Sequence, residues 1–175
     1  RVPLSATGFY KTPKINYDRK TFSGRPFFYF AYGAAVSEAV VDSLTGENRI
    51  LRVDILHDCG DSLNPAIDRG QIEGGYVQGV GWLTSEELWW NDRGELGTHA
   101  PSTYKIPTCS DLAPDFRVEL MTGNPNAEDT IYRSKAVGEP PLMLALSAFH
   151  AIRDAIANDD CPLPNLQAPA TPEAI

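Results

Sequence analysis

Cysteine, histidine and methionine are all scarce in this chain of 175 residues, at three, three and two. Cys59, Cys109 and Cys161 lie far apart, and no two stand at the spacing of a zinc site or a disulfide framework. A cluster held by cysteines needs about four thiolates, usually close together, so this chain holds no iron–sulfur centre by itself. We read the three as reduced thiols of a cytoplasmic protein. Long apolar runs are missing too, and none approaches the ~20 residues of a membrane-spanning helix. Basic residues are in deficit, 15 Lys and Arg against 23 Asp and Glu. The net charge of −8 argues against nucleic acid as a partner, because phosphate binding needs clustered cations. No Met opens the chain. Beginning at Arg1, it reads as part of a longer protein, and targeting cannot be read from it.

What remains is an ordinary globular composition, 42% hydrophobic and 22% charged, enough for one domain with a core. Residues 1–25, rich in Pro, Gly, Lys and Arg, read as an extended N-terminal segment lying over another surface. The aromatic run 27–32 and residues 34–42 read as strands, and Thr45-Gly46 as a turn. Residues 50–57 read as the return strand, with Leu51, Val53 and Ile55 buried and Arg52 and Asp54 wet. Asn64 caps a helix predicted over residues 65–82 or slightly beyond, with Pro65 at its first position. Ile72, Tyr76 and Val80 share one face. Gln71, Gly74, Gly75 and Gln78 fall roughly opposite. Gly74, Gly75, Gly79 and Gly81 each cost this helix ~1 kcal/mol relative to Ala, so another backbone or a ligand is expected to approach closely.

Residues 87–90 and 94–96 look like a second hairpin, 101–107 are expected to be extended, and 116–121 to form a strand. Residues 124–129 read as a polar loop. Pro141 opens the clearest helix, with Leu142, Ala145, Leu146, Phe149, Ile152 and Ile156 as its apolar stripe. A Pro-rich tail, 161–175, ends in Thr171-Pro172-Glu173, which resembles another helix start. Strands and helices mix without a regular βαβ rhythm, so the fold class is α+β.

Two residues are candidates for chemistry. Glu139, just before the Pro141 helix, would see the positive end of its dipole, which favours the ionised carboxylate that a general base needs. From its position alone it reads more readily as an ordinary acidic residue at a helix start. Gln71, on the glycine side of the first helix, can donate and accept hydrogen bonds. From its position alone it reads more readily as a Gln packed on a neighbouring helix. His57, with Asp58, and the isolated His99 and His150 read as structural or solvent-facing, since no second ligand pair stands near. Lys135 could reach a phosphate. Trp82, Trp89 and Trp90 read as core or interface anchors. The glycines form no nucleotide-binding pattern.

The stretch Leu63-Asn64-Pro65-Ala66-Ile67-Asp68-Arg69-Gly70-Gln71-Ile72-Glu73-Gly74-Gly75-Tyr76-Val77-Gln78-Gly79, with Gly81-Trp82-Leu83-Thr84-Ser85-Glu86-Glu87-Leu88 after it, resembles the molybdopterin-binding subunit of xanthine dehydrogenases, in the xanthine oxidase family of molybdenum hydroxylases. So do Ala100-Pro101-Ser102-Thr103-Tyr104-Lys105-Ile106-Pro107 and Ser134-Lys135-Ala136-Val137-Gly138-Glu139-Pro140-Pro141. The tail residues 166–173 resemble bacterial members whose molybdenum subunit is a separate polypeptide. The resemblance implies that residues 1–175 are a C-terminal fragment of the molybdopterin-binding domain. It implies hydroxylation of hypoxanthine and xanthine with oxygen from water, with Glu139 as catalytic base and Gln71, Val137 and Gly138 at the molybdenum cofactor. Electrons would leave through [2Fe-2S] clusters and FAD to NAD, all carried elsewhere. Implied partners are the remainder of the molybdenum subunit and an Fe-S/FAD subunit, in a dimer of heterodimers. The family's upstream purine-gripping and pterin-contacting motifs are absent from this sequence. A related hydroxylase of aldehydes or N-heterocycles, and a non-catalytic scaffold fragment, are the competing readings.

Overall fold

The computed structural model describes residues 2–175, so Arg1 lies outside the described residues. A three-stranded sheet in the order β3-β4-β5 forms the frame. It contains β3 (Gly33–Val41), β4 (Asn48–His57) and β5 (Asp115–Leu120). β3 and β4 form an antiparallel hairpin. Its turn closes through Gly46 (φ 75°) and the bond from the Asp42 N–H to the Glu47 carbonyl. β4 and β5 run parallel, and the connection between them contains α1 (Pro65–Thr84). One βαβ unit is therefore embedded in an otherwise mixed α+β fold. The second helix, α2 (Leu146–Ala155), packs against β3 and α1.

The two faces of the sheet differ as the period-2 pattern requires. Val53 and Ile55 are buried with Ile72, Tyr76, Ala145, Ala148 and Ile152. On the opposite face Arg52, Asp54, Asp115 and Arg117 form a mesh of exposed ion pairs. The expected burial of Leu51 needs correction. A register shift falls between Glu38 and Ala39, so Leu51 has no partner of its own. Ile50 takes the inward place at 6% exposure, and Leu51 is half-buried.

Other expectations shift for local reasons. Residues 27–32 form no strand. Phe28 is buried, and the Tyr32 carbonyl accepts from the Asp58 N–H instead of entering a ladder. The N-terminal segment is exposed and carries a short hairpin, β1 (Asn16–Asp18) with β2 (Ser23–Arg25). Lys14 and Arg25 tie it to Glu128. The hairpin expected near residue 90 is a single bridge, Trp90 to Leu96. Residues 101–103 turn rather than extend, with the Thr103 N–H on the Ala100 carbonyl. Trp82, Trp89 and Trp90 are all more than half exposed, which excludes the core reading. The Pro-rich tail docks, with Leu166 and Ala170 buried and the Ala170 N–H on the Leu83 carbonyl at 2.7 Å. Its last residues form one turn.

Candidate cofactor and active site

α1 is built to expose one side and press the other against a neighbour. Asn64 accepts from the Ala66 and Ile67 N–H groups, and Pro65 opens the helix. Ile72 and Tyr76 lie at 0% and 2% exposure. The sequence-based split of the glycines changes here, because Gly75 belongs to the buried side with Gly79 and Gly81. A Cβ on Gly75 would stand 3.2 Å from the Pro141 Cβ. One on Gly79 would meet the Leu142 carbonyl and stand 2.6 Å from the Ala145 Cβ. The expected close approach is therefore real, and its partner is the segment from Pro140 to Ala145. Gly70, Gln71, Gly74 and Gln78 are exposed, and a Cβ on Gly70 or Gly74 would meet nothing within 4 Å.

The segment after Glu139 is not the regular helix that the apolar stripe predicts. Pro140–Ala145 is a 3-10 helix, and α2 begins only at Leu146. The physical reason is the double proline. Neither Pro140 nor Pro141 has an N–H, so the first bond is from the Leu142 N–H to the Glu139 carbonyl at 3.0 Å, an i to i+3 closure. The stripe shifts accordingly: Ala148 is buried and Leu146 is exposed. The helix-dipole argument for Glu139 loses most of its force, because so short a 3-10 turn carries little aligned dipole. The Glu139 side chain forms no capping bond and is exposed. Gly138 beside it is exposed too, with nothing near its absent Cβ. Val137 points inward at 9% exposure as part of the core.

The structure brings these two candidate regions together. A Cβ on Gly75, one turn beyond Gln71, would stand 3.5 Å from the Gly138 carbonyl. Residues 137–139 therefore lie against the α1 turn that follows Gln71. A groove of about 930 Å³ elsewhere, lined by Val53, Tyr76, Val80, Ile106 and Phe116, includes neither Gln71 nor Glu139.

Lys135 is not free for a phosphate. Its side chain is 7% exposed, and its ammonium lies 2.5 Å from the fully buried Asp58 carboxylate. Asp58 also accepts from the Gly60 N–H and the Asn124 amide. Sequence reasoning passed over this cluster because 77 residues separate its charges. His57 is 1% exposed, and both ring nitrogens lack a protein partner. Burial pushes its pKa below the usual 6.5, with Lys135 pushing the same way and Asp58 opposing. His99 and His150 are exposed.

Among the described residues no three His, Cys, Asp or Glu side chains converge on a metal position. A metal carried by its own organic ligand needs no such cluster. The exposed surface fits such a group. Gly70, Gly74 and Gly138 leave open space around an uncharged amide, Gln71, and a carboxylate, Glu139. No helix of the described residues is long and apolar enough to cross a membrane.

Similarity to known proteins extends over most of the chain. The family described as "Molybdopterin cofactor-binding domain" matches residues 1–113. A xanthine dehydrogenase/oxidase of Felis catus is 56% identical over 99% of this chain. The chain spans only 14% of that relative's length. Among solved structures, quinoline 2-oxidoreductase from Pseudomonas putida 86 superposes with a TM-score of 0.68 at 29% identity. The match covers 77% of this chain and 16% of that one. The aldehyde oxidoreductase of Desulfovibrio desulfuricans gives a TM-score of 0.67 at 29% identity, covering 86% of this chain and 16% of its own.

Proposed function

Because this chain belongs to the molybdopterin cofactor-binding domain family, we propose that residues 1–175 are the C-terminal part of the molybdenum subunit of a xanthine dehydrogenase, and that they supply one wall of its active site. The observation that carries this reading is that Gln71 and Glu139, both exposed, stand on segments in direct contact, beside glycines whose added Cβ would meet nothing within 4 Å.

When bound, the molybdenum cofactor supplies the two-electron oxidation. This chain's residues hold and move protons around it. The Gln71 amide donates from Nε2 and accepts at Oε1, which suits the mixed edge of a pterin or an oxygen ligand. The exposed glycines of α1 would leave room for the cofactor to approach the helix, and Gly138 would do the same beside the acid. Glu139 takes the proton from the water-derived nucleophile at a carboxylate oxygen, acting as general base. Its side chain has no competing capping bond to break first. Val137 contributes from beneath, as a core anchor that fixes the height of residues 138 and 139.

The substrate assignment, hypoxanthine and xanthine, follows the 56% identity to the cat relative. The second reading, an aldehyde or N-heterocycle hydroxylase, has the two structural neighbours behind it at 29% identity. In the favoured reading, the residues that grip the purine come from the remainder of the molybdenum subunit. Electrons leave through [2Fe-2S] clusters and FAD on a partner subunit to NAD, in a cytoplasmic dimer of heterodimers. We assign the bacterial arrangement, with a separate molybdenum polypeptide, on the resemblance of the tail.

The test is Gln71→Ala in the intact enzyme. The side chain is exposed, so the fold should be unchanged. Molybdenum content or turnover should fall. Wild-type molybdenum content together with wild-type kcat would remove Gln71 from the site.

A further inference from the structure

The carboxylate of Glu139 is held by nothing of its own: no capping bond and an exposed side chain. Its position is therefore set by the backbone on either side. On the C-terminal side, Pro140 and Pro141 stiffen the chain, and Pro141 is buried against Gly75. On the N-terminal side, Val137 is buried, and four residues before Glu139 stands Lys135.

Residues 133–136 are joined to residues 58–61 and to Tyr29 at several points, with Lys135 in their midst. The Lys135 N–H bonds to the Cys59 carbonyl at 2.8 Å, and Gly60 bridges Ser134. The Asp61 N–H bonds to the Arg133 carbonyl, and the Ala136 N–H to the Tyr29 hydroxyl. The Lys135 ammonium sits on Asp58 and 5.1 Å from the centre of the Tyr32 ring. Just upstream, Tyr132 and Arg133 adopt φ of 50° and 58°, left-handed values that side chains resist. Consecutive non-glycine residues in that region persist only where the surroundings over-determine them.

A buried ion pair is a poor way to gain stability, because desolvating two charges consumes most of their attraction. Its use is geometric: the Gly60 N–H and the Asn124 amide also hold the Asp58 carboxylate, and the carboxylate in turn sets where the Lys135 ammonium stands. We propose that Lys135, paired with Asp58, is a positioning residue for Glu139, fixing the start of the 135–139 segment so that the carboxylate stands at the reacting group. This rests on the reading of Glu139 as the base.

The experiment is a double-mutant cycle in the intact enzyme: wild type, Lys135→Met, Glu139→Gln and both together. Single-turnover reduction by xanthine, KM and molybdenum content are measured for each. In parallel, amide hydrogen exchange is followed on cofactor-free protein. Misplacing a catalytic group by about 1 Å costs on the order of a hundredfold. Lys135→Met should slow reduction by roughly ten- to a hundredfold, with KM little changed. The amides of Lys135 and Ala136 should exchange faster, while those of α1 and α2 keep their protection.

In the Glu139→Gln background the Lys135 change should cost nothing more. Asp58→Asn with Lys135→Met leaves no unpaired buried charge. It should hold its cofactor and show the same slow reduction, which covers the case in which Lys135→Met fails to fold. A wild-type rate in that double variant would overturn the positioning role and leave Glu139 as base. Losses that multiply across the cycle would overturn it equally. A wild-type rate for Glu139→Gln alone would instead overturn the base assignment, and the positioning role with it.

Discussion

At the scale of single residues, His57 is the group whose chemistry is most at odds with its surroundings. It lies at 1% exposure with both ring nitrogens unpartnered, and burial holds its pKa below 6.5. The unfolded chain takes up a proton as the pH falls through about 6.5, while the folded chain stays neutral to a lower pH. Stability is therefore full above that value and is lost as the pH falls through the folded pKa. The unfolding midpoint should drop as the pH falls below about 6.5, and His57→Met should flatten that part of the profile. An unchanged slope in the variant would mean that other groups set it. His57 was legible only as a strand-end histidine. Its surroundings include Gly33, where a Cβ would stand 2.6 Å from Nδ1, and Gly33 is not near it in sequence. Lys135 and Asp58 were illegible as a pair for the same reason.

At the scale of elements, the glycines of α1 divide by what faces them. Gly79→Ala forces a methyl into the Leu142 carbonyl and the Ala145 side chain. Overpacking of this kind should destabilise by roughly 1–3 kcal/mol. Gly74→Ala meets nothing within 4 Å and should stabilise the chain by about 0.5–1 kcal/mol through helix propensity. The same change should weaken cofactor retention in the whole enzyme, since the open face would then carry a methyl. Urea unfolding of both variants, with molybdenum content of the assembly, checks the pair. If Gly74→Ala stabilises and retention is unaffected, the open glycine face is not where the cofactor lies.

The cost of these glycines was readable in the sequence, and so was the need for a close neighbour. Which glycine met which neighbour was not, because the segment from Pro140 lies some 60 positions away. The same split holds for the strands. The β3–β4 hairpin follows from local alternation and a turn. The bulge that exchanges Leu51 for Ile50 and the parallel pairing of β5 arise from contacts that no local pattern encodes. The 3-10 turn was open to inference from Pro140-Pro141, two missing donors in a row.

At the scale of the molecule, the chain spans only 14% of the cat relative's length, and in the reading proposed above it supplies one wall of a site whose other walls lie in the remainder of the molybdenum subunit. Its exposed surface includes Leu88, Trp82, Trp89, Trp90 and the aromatic residues of the N-terminal segment, among them Phe9, Phe22 and Phe27. Large aromatic side chains left in water are costly unless a partner covers them. The isolated chain should therefore bind no molybdenum cofactor tightly and oxidise no purine. Metal analysis of the purified chain beside the full assembly checks this, and stoichiometric molybdenum in the chain alone would refute it.

The proposed role of Glu139 is tested by reduction of the intact enzyme by xanthine under single turnover, comparing wild type with Glu139→Gln, with molybdenum measured in parallel. Gln keeps the shape and some hydrogen bonding but cannot accept the proton. General-base assistance is worth roughly 10²–10⁴ in rate. The expected result is a loss of that size in the reduction rate and kcat, with fold and molybdenum content preserved. Reduction at the wild-type rate with full molybdenum content would show that Glu139 is not the base, and would contradict the account at its centre.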